Sequence, residues 1–287
     1  MISELLELMR PKQWYKNLVV FAAIFFSMNM LNIPMLQTTV LAFASLCLLS
    51  SGNYAINDIV DAEADKAHDK KKKRPIPSGR LGKGVAFIWA LLLYAFGFSI
   101  SYFVGISFLA ASASLVLLTQ IYNFLFKNIA FADISVLSTN FMIRAVAGAL
   151  AINVTISPWL ILGTYLLALF LSIGKRKTDL EVLGEKAKSY KKVYEVYTAP
   201  VLDKFLLMSA TLLFMAYSLY SFLGSKANSH LLMATIPVVF FLIFRYYHLT
   251  TMKHEIARSP ERVFTDLQML SGMVLWFIIF SAALYIS

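Results

Sequence analysis

The sequence predicts an all-α polytopic membrane protein with nine transmembrane helices. Three observations carry that prediction. Of 287 residues, 59% are hydrophobic and only 15% charged; soluble domains carry about 25% charged residues, and disordered chains lack such an apolar content. The apolar residues gather into nine segments of a length that suits helices crossing ~30 Å of hydrocarbon, with no barrel-type alternation. The charges cluster on one side of those segments.

Taken in order, the segments are 17–32, 36–57, 84–104, 107–126, 132–153, 157–174, 201–223, 230–249 and 267–286. Glu4, Glu7, Arg10 and Pro11 precede the first, and no small-residue cleavage pattern follows it, so no cleavable signal is expected. The single cysteine, Cys47, excludes an intrachain disulfide and a Cys/His metal site. The tight connections near 33–35, 105–106, 154–156 and 224–229 hold one base, Lys226, and no acid. The other side holds Arg10, Lys12 and Lys16, eight Lys/Arg in 61–83, seven in 175–200, and Lys253, Arg258 and Arg262. The positive-inside rule makes that side cytoplasmic and, with nine spans, puts the C-terminus outside. The net charge of +10 is then a topology signal and not a nucleic-acid footprint. All 16 acids fall on the same side. Topology does not require them there; they mark either a solvated loop or a site for a polyanion and a metal.

The second segment ends in Asn57-Asp58-Ile59-Val60-Asp61-Ala62-Glu63-Ala64-Asp65. If the helix continues, Asn57, Asp58, Asp61 and Asp65 lie within about 100° of arc. Carboxylates on one face repel unless a cation sits among them. Oxygen-only donors suit Mg²⁺, which binds through one or two carboxylates plus substrate phosphates; a merely solvated helix end is the alternative. Five bases follow, Lys70 to Arg74, a pattern also used for anionic lipid. Arg74 and Arg80 bracket a Pro75-Ile76-Pro77-Ser78-Gly79 turn, whose fixed geometry suits bidentate phosphate binding. His68 is assigned no chemistry.

Asn57-Asp58-x-x-Asp61-x-x-x-Asp65 at the end of the second span resembles the first aspartate motif of the UbiA superfamily of intramembrane prenyltransferases. Arg10-Pro11-Lys12-Gln13-Trp14-Tyr15-Lys16-Asn17 and Arg74-Pro75-Ile76-Pro77-Ser78-Gly79 are similar to its decaprenyl-phosphate phosphoribosyltransferase branch, and the likeness runs along nearly the whole chain. It implies one UbiA-like domain over 1–287, a helix bundle around a central cavity open to the cytoplasm. It also implies Mg²⁺-dependent transfer of 5-phosphoribose from phosphoribosyl diphosphate to a polyprenyl phosphate lipid, releasing diphosphate. The expected setting is a bacterial-type plasma membrane and the synthesis of cell-envelope arabinan precursors.

Further polar residues sit in the spans. Lys12 and Lys16 share a face if an α-helix begins there; they serve as membrane anchors or, as the resemblance favours for Lys16, bind phosphate. Gln120, Asn123 and Lys127 lie on one stripe, with Tyr122 to its side. Asp133, Asn140 and Arg144 lie on another. Arg144 is about 16 Å along the helix from Asp133, deep enough to need a partner or a polar cavity. The Tyr122…Lys127…Asp133…Arg144 spacing again resembles the branch, which makes Arg144 a phosphate candidate. In the second loop the resemblance covers Gly174-Lys175-Arg176 and Asp179. The superfamily's second Asp-x-x-x-Asp motif is missing, so the carboxylates available there are Asp179, Glu181 and Glu185. The stretch 189–200 departs from the branch and contributes no expected site residue; Lys188, Lys191 and Lys192 read as surface charges. Asp266 is either a weak site candidate or an acid complementing a helix N-terminus.

The expected site therefore has Asp58, Asp61 and Asn57 at its centre, with Asp65 as a further metal ligand. Lys12, Lys16, Lys71, Arg74, Arg80, Tyr122, Lys127, Arg144, Lys175 and Arg176 are expected to bind substrate, and Asp133, Asp179 and Asp266 lie at its margin. Expected partners are phosphoribosyl diphosphate, polyprenyl phosphate and the membrane, with homo-oligomerisation left open. Two alternatives stand beside this reading. One is a prenyltransferase joining a prenyl diphosphate to an aromatic acceptor. The other, of a different class, is a transporter or lipid-binding protein.

Overall fold

A computed structural model describes residues 1–66, 71–223, 229–252, 254–258 and 260–285. His68, Asp69, Lys70, Lys226 and Lys253 lie outside the described residues. Among those described the regular structure is helical, and eight helices are long and apolar enough to cross a membrane. The chain forms two compact units, residues 1–124 with 143–156, and residues 125–142 with 157–287.

The first unit opens with α1 (Ile2–Met9) and a ten-residue 3-10 helix, Pro11–Val20. Arg10 between them is left-handed, at φ 52°, and caps the C-terminus of α1, its N–H donating to the Glu7 carbonyl. Thus the first expected span is not one α-helix. It is 3-10 through Val20, followed by α2 (Phe21–Phe26). This also corrects the reading of Lys12 and Lys16: at three residues per 3-10 turn, positions four apart diverge by about 120°.

Next comes α3 (Ile33–Val60), capped by the Asn32 side chain, which accepts from the Met35 N–H at 3.2 Å, and led by Pro34 in its first turn. It is followed by α4 (Ala62–Lys66), α5 (Lys83–Val104) and α6 (Ile106–Phe124). Gly105, at φ 150°, makes the turn between the last two. Val20, Leu46, Leu49, Phe108, Leu115 and Ala147 share a core. Lipid offers no water to buried hydroxyls, and Ser45 finds the Gly97 carbonyl at 2.9 Å and Ser101 at 2.7 Å. Gly148 faces the Val20 backbone so closely that a Cβ would strike its carbonyl. The α6 helix stops at Phe124, so the Gln120–Asn123–Lys127 stripe is not continuous; Lys127 lies in a separate 3-10 turn, Phe126–Asn128.

The helix α7 (Ala132–Ala151) belongs to the second unit up to Met142 and to the first from Ile143. The second unit continues with α8 (Pro158–Leu183), α9 (Lys186–Tyr190), a 3-10 turn Lys192–Glu195 and α10 (Ala199–Leu223). Then come α11 (Ser229–Ala234), α12 (Ile236–Met252), α13 (His254–Arg258), a 3-10 turn Pro260–Thr265 and α14 (Leu267–Tyr285). Pro237 explains the break after α11, since its ring would clash with the carbonyl four residues back. The core gathers Ile134, Phe170, Ile173, Tyr197, Leu206 and Tyr246. Buried Lys177 ties α8 to α10 through Asp203 at 2.6 Å.

Candidate active site

In the first unit the acidic segment stays on one side of the chain although α3 ends at Val60. The Asp61 N–H donates to the Asn57 carbonyl at 2.9 Å and the Asp65 N–H to the Asp61 carbonyl at 2.8 Å, so the α-helical spacing runs across the break. Asp58 and Asp65 are buried, and Asn57 and Asp61 half-buried. Arg74 joins the two buried carboxylates: its Nη1 donates to Asp58 Oδ1 at 2.9 Å and to Asp65 Oδ2 at 2.7 Å. Lys71 Nζ lies 3.1 Å from Asp65 Oδ1. Arg10 Nη2 also donates to Asp58 Oδ1.

Arg74 owes its position to the turn after it. The Ser78 N–H bonds to the Arg74 carbonyl and the Leu81 N–H to the Pro75 carbonyl, both at 3.0 Å. Ile76 and Leu81 are buried, and Gly79 supplies a φ of 77°. Arg80 closes the turn. It donates to Glu7 at 2.9 and 3.2 Å and to the Lys73 carbonyl at 2.6 Å, so it acts as a strap to α1 and is not seen on the carboxylate cluster. Arg10 was missed in the sequence as a site residue. The available signal is that both arginines on Asp58 directly precede a proline, Pro11 and Pro75.

Lys12 is exposed and Lys16 half-buried, its ammonium 5.9 Å from the Tyr15 ring centre. Arg144 is buried and its Nε donates to Asn17 Oδ1 at 2.8 Å, so it anchors the Arg10–Asn17 segment. Gln120 joins a buried amide–phenol group with Asn53 and Tyr94. Tyr122 is half-buried.

The second unit has its own charged clusters. Asp133, fully buried in the first turn of α7, accepts from Arg176 Nε at 2.9 Å, Lys191 Nζ at 3.0 Å and Tyr197 OH at 2.5 Å. Tyr197 OH also accepts the Phe131 N–H at 2.8 Å. Burial, and then repulsion from Arg176, push the Lys191 ammonium down to about 8, although Asp133 pulls it back. Burial, then its bond to Asp133, push the Tyr197 phenol up, so it remains a donor. Asp179 pairs with Arg258 Nε at 2.8 Å and accepts from Tyr194 OH at 3.3 Å. Lys191 is therefore not a surface charge, and the 189–200 stretch supplies part of this cluster. Lys175 is exposed and Lys127 half-buried. Asp266 bonds the Met269 N–H at 3.0 Å and pairs with Arg245 at 2.8 Å, which is helix capping.

The first-unit cluster can be tested for a divalent cation. Its donors are oxygens, and two buried carboxylates converge on one cationic position, which the Arg74 guanidinium holds. Among the described residues no three acid, His or Cys side chains enclose a metal by themselves. That donor set fits Mg²⁺, whose shell is normally completed by phosphate oxygens and water.

The family model described as the UbiA prenyltransferase family matches residues 18–278. The decaprenyl-phosphate phosphoribosyltransferase of Mycolicibacterium smegmatis is 29% identical, with 100% of this chain and 94% of that protein covered. Its namesake from Corynebacterium glutamicum is 31% identical, covering 76% of this chain and 67% of that protein. A UbiA homolog from Archaeoglobus fulgidus bound to GPP and Mg²⁺ superposes with a TM-score of 0.73 at 17% identity, covering 96% and 99% of the two chains. A structure of digeranylgeranylglyceryl phosphate synthase gives 0.70 at 17% identity over 100% and 99%. The acid-rich end of α3 and the apolar helices after it thus have a common setting: the chain belongs to the UbiA prenyltransferase family and is an integral-membrane transferase.

Proposed function

We propose that the chain transfers 5-phosphoribose from phosphoribosyl diphosphate to a polyprenyl phosphate, releasing diphosphate. The observation that carries the reading is the convergence of Arg10, Arg74 and Lys71 on buried Asp58 and Asp65, in a chain whose relatives include decaprenyl-phosphate phosphoribosyltransferases. In the proposed reaction an oxygen of the acceptor phosphate bonds to ribose C1. The bond from C1 to the diphosphate oxygen breaks, and its electron pair leaves with diphosphate. The nucleophile is already an oxyanion, so no general base is needed.

The residues of the first unit then have distinct tasks. Arg10, Arg74 and Lys71 bind the leaving diphosphate, where forked guanidinium contacts fix orientation as well as charge. Asp58 and Asp65 hold those cations in place before substrate arrives. The same two carboxylates, with Asn57 and Asp61 beside them, would hold Mg²⁺, which when bound neutralises charge on the leaving group. The resulting catalysis is alignment plus charge stabilisation. In this reading the N-terminus and this cluster face the cytoplasm, which the one-sided charges support, and the product feeds cell-envelope arabinan synthesis, which the likeness to the decaprenyl-phosphate phosphoribosyltransferases supports.

The test is incubation of purified protein with labelled phosphoribosyl diphosphate, polyprenyl phosphate and Mg²⁺. Label is expected in the lipid phase. Its absence there, with turnover of a prenyl diphosphate and an aromatic acid instead, would assign the chain to the other prenyltransferase chemistry of the fold.

A further inference from the structure

We infer that Tyr54 is a positioning residue for diphosphate binding: its ring fixes the Arg10 guanidinium at the carboxylate cluster by a cation–π contact. The inference deepens the transfer reading and rests on it for Arg10 as a diphosphate contact. Ser51, Tyr54 and Asp58 follow one another on α3 at spacings of three and four residues, so they share one face of the helix. All three meet the chain around Arg10. The Ser51 hydroxyl bonds to the Met9 carbonyl at 2.9 Å and accepts the Trp14 indole N–H at 3.1 Å. Asp58 Oδ1 accepts from Arg10 Nη2. From the position between them on this face, the Tyr54 ring lies under the Arg10 Cζ, which is 5.0 Å from the ring centre.

The backbone around Arg10 has other anchors. Ser51 pins the chain on either side of it, and the Arg10 N–H is bonded to the Glu7 carbonyl. The ring contributes at the side chain. Asp58 Oδ1 also accepts from Arg74, so the carboxylate gives Arg10 a bond to a shared oxygen, about which a planar guanidinium can pivot. A ring against the guanidinium face removes that freedom. A face contact consumes no N–H, whereas each carboxylate bond does. The in-plane donors are thereby held in one orientation for an incoming anion, and the Arg10 side chain, 24% exposed, can be reached by one. Arg74 is held differently, by two carboxylates on its Nη1. Tyr54 is half-buried, so less water screens the cation than at a fully solvated pair, and the contact gains in strength. Tyrosine and phenylalanine can both supply such a face; an aliphatic side chain cannot.

The experiment is equilibrium binding of labelled inorganic diphosphate, with Mg²⁺, to the full chain in nanodiscs. Diphosphate is the leaving group of phosphoribosyl and prenyl transfer alike, so the probe does not depend on which group is transferred. Arg10→Gln should weaken binding at least about tenfold, the scale of one charge-assisted hydrogen bond. Tyr54→Leu should weaken it about fivefold, within the range of a partly desolvated cation–π contact, and Tyr54→Phe should recover most of that loss. In the Arg10→Gln background Tyr54→Leu should change binding by less than about twofold, because the contact it removes is already gone. A Tyr54 that merely fills space would weaken binding equally in both backgrounds. That result, a loss in Tyr54→Phe as large as in Tyr54→Leu, undiminished binding in Tyr54→Leu, or no wild-type binding of diphosphate would overturn the proposal. Should Tyr54→Leu fail to fold, phenylalanines carrying successively more ring fluorines at position 54 take its place. Fluorine draws negative charge from the ring face and nearly keeps its shape, so binding should fall stepwise, and a flat series would overturn the proposal. Diphosphate binding with this ring dependence but without phosphoribosyl transfer would instead overturn the transfer reading and leave the Arg10–Tyr54 contact standing.

Discussion

Arg74→Gln removes the guanidinium that joins Asp58 to Asp65, and its cost can be worked from the geometry. The two carboxylate side chains are only 2% and 3% exposed, against 26% for Arg74. At an effective dielectric near 20, a charge pair about 4 Å apart is worth about 4 kcal/mol before desolvation. Breaking a buried pair from one side typically costs about 3–5 kcal/mol. Here Arg10 still serves Asp58 and Lys71 still serves Asp65, so the lower end, about 3 kcal/mol, is expected. The assay is unfolding of purified protein in mixed micelles, for wild type, Arg74→Gln, Asp58→Asn/Asp65→Asn and the triple variant. With both carboxylates neutralised the Arg74 change should cost under about 1 kcal/mol, the remainder being coupling. An equal loss in both backgrounds would refute the account of Arg74 as the bridge between these acids.

Asp58→Asn should lower transfer at least about 100-fold, the scale of losing one transition-state charge contact, while membrane insertion persists; near-wild-type, Mg²⁺-dependent turnover would contradict the metal and diphosphate assignment. Asp133→Asn leaves Arg176 and Lys191 facing each other without their carboxylate and should destabilise by about 3 kcal/mol, read as a lower melting temperature in detergent. Gly148→Val puts a branched side chain against the Val20 carbonyl, which cannot move as a side chain can. It should cost at least about 2 kcal/mol, and an unchanged melting temperature would show that the two segments are not held at that approach.

The apolar helices were legible because lipid imposes a length and composition that a sequence cannot hide. The acid-rich end of α3 was legible because helical spacing survives its break at Asp61. Three features were not. The chain runs from left-handed Arg10 into a 3-10 helix over 11–20, and an α-helical wheel therefore placed Lys12 and Lys16 together wrongly. Arg10 reaches Asp58 across 48 residues of chain, a pairing no local pattern encodes. Lys191 and Tyr197 reach Asp133 across 58 and 64 residues, within a stretch whose sequence departs from the branch it otherwise resembles. Arg80 and Asp266 carry the right charges for a site, but Glu7 and the first turn of α14 take them up in local structure.

The most direct measurement of the central claim is transfer from phosphoribosyl diphosphate labelled separately at the 5-phosphate and at the terminal phosphate of the diphosphate. Wild type should move the 5-phosphate label into the polyprenyl lipid and leave the diphosphate label in water, with both movements lost in Asp58→Asn. Diphosphate label in the lipid, or no label there while a prenyl diphosphate is consumed, would contradict transfer of 5-phosphoribose by this chain.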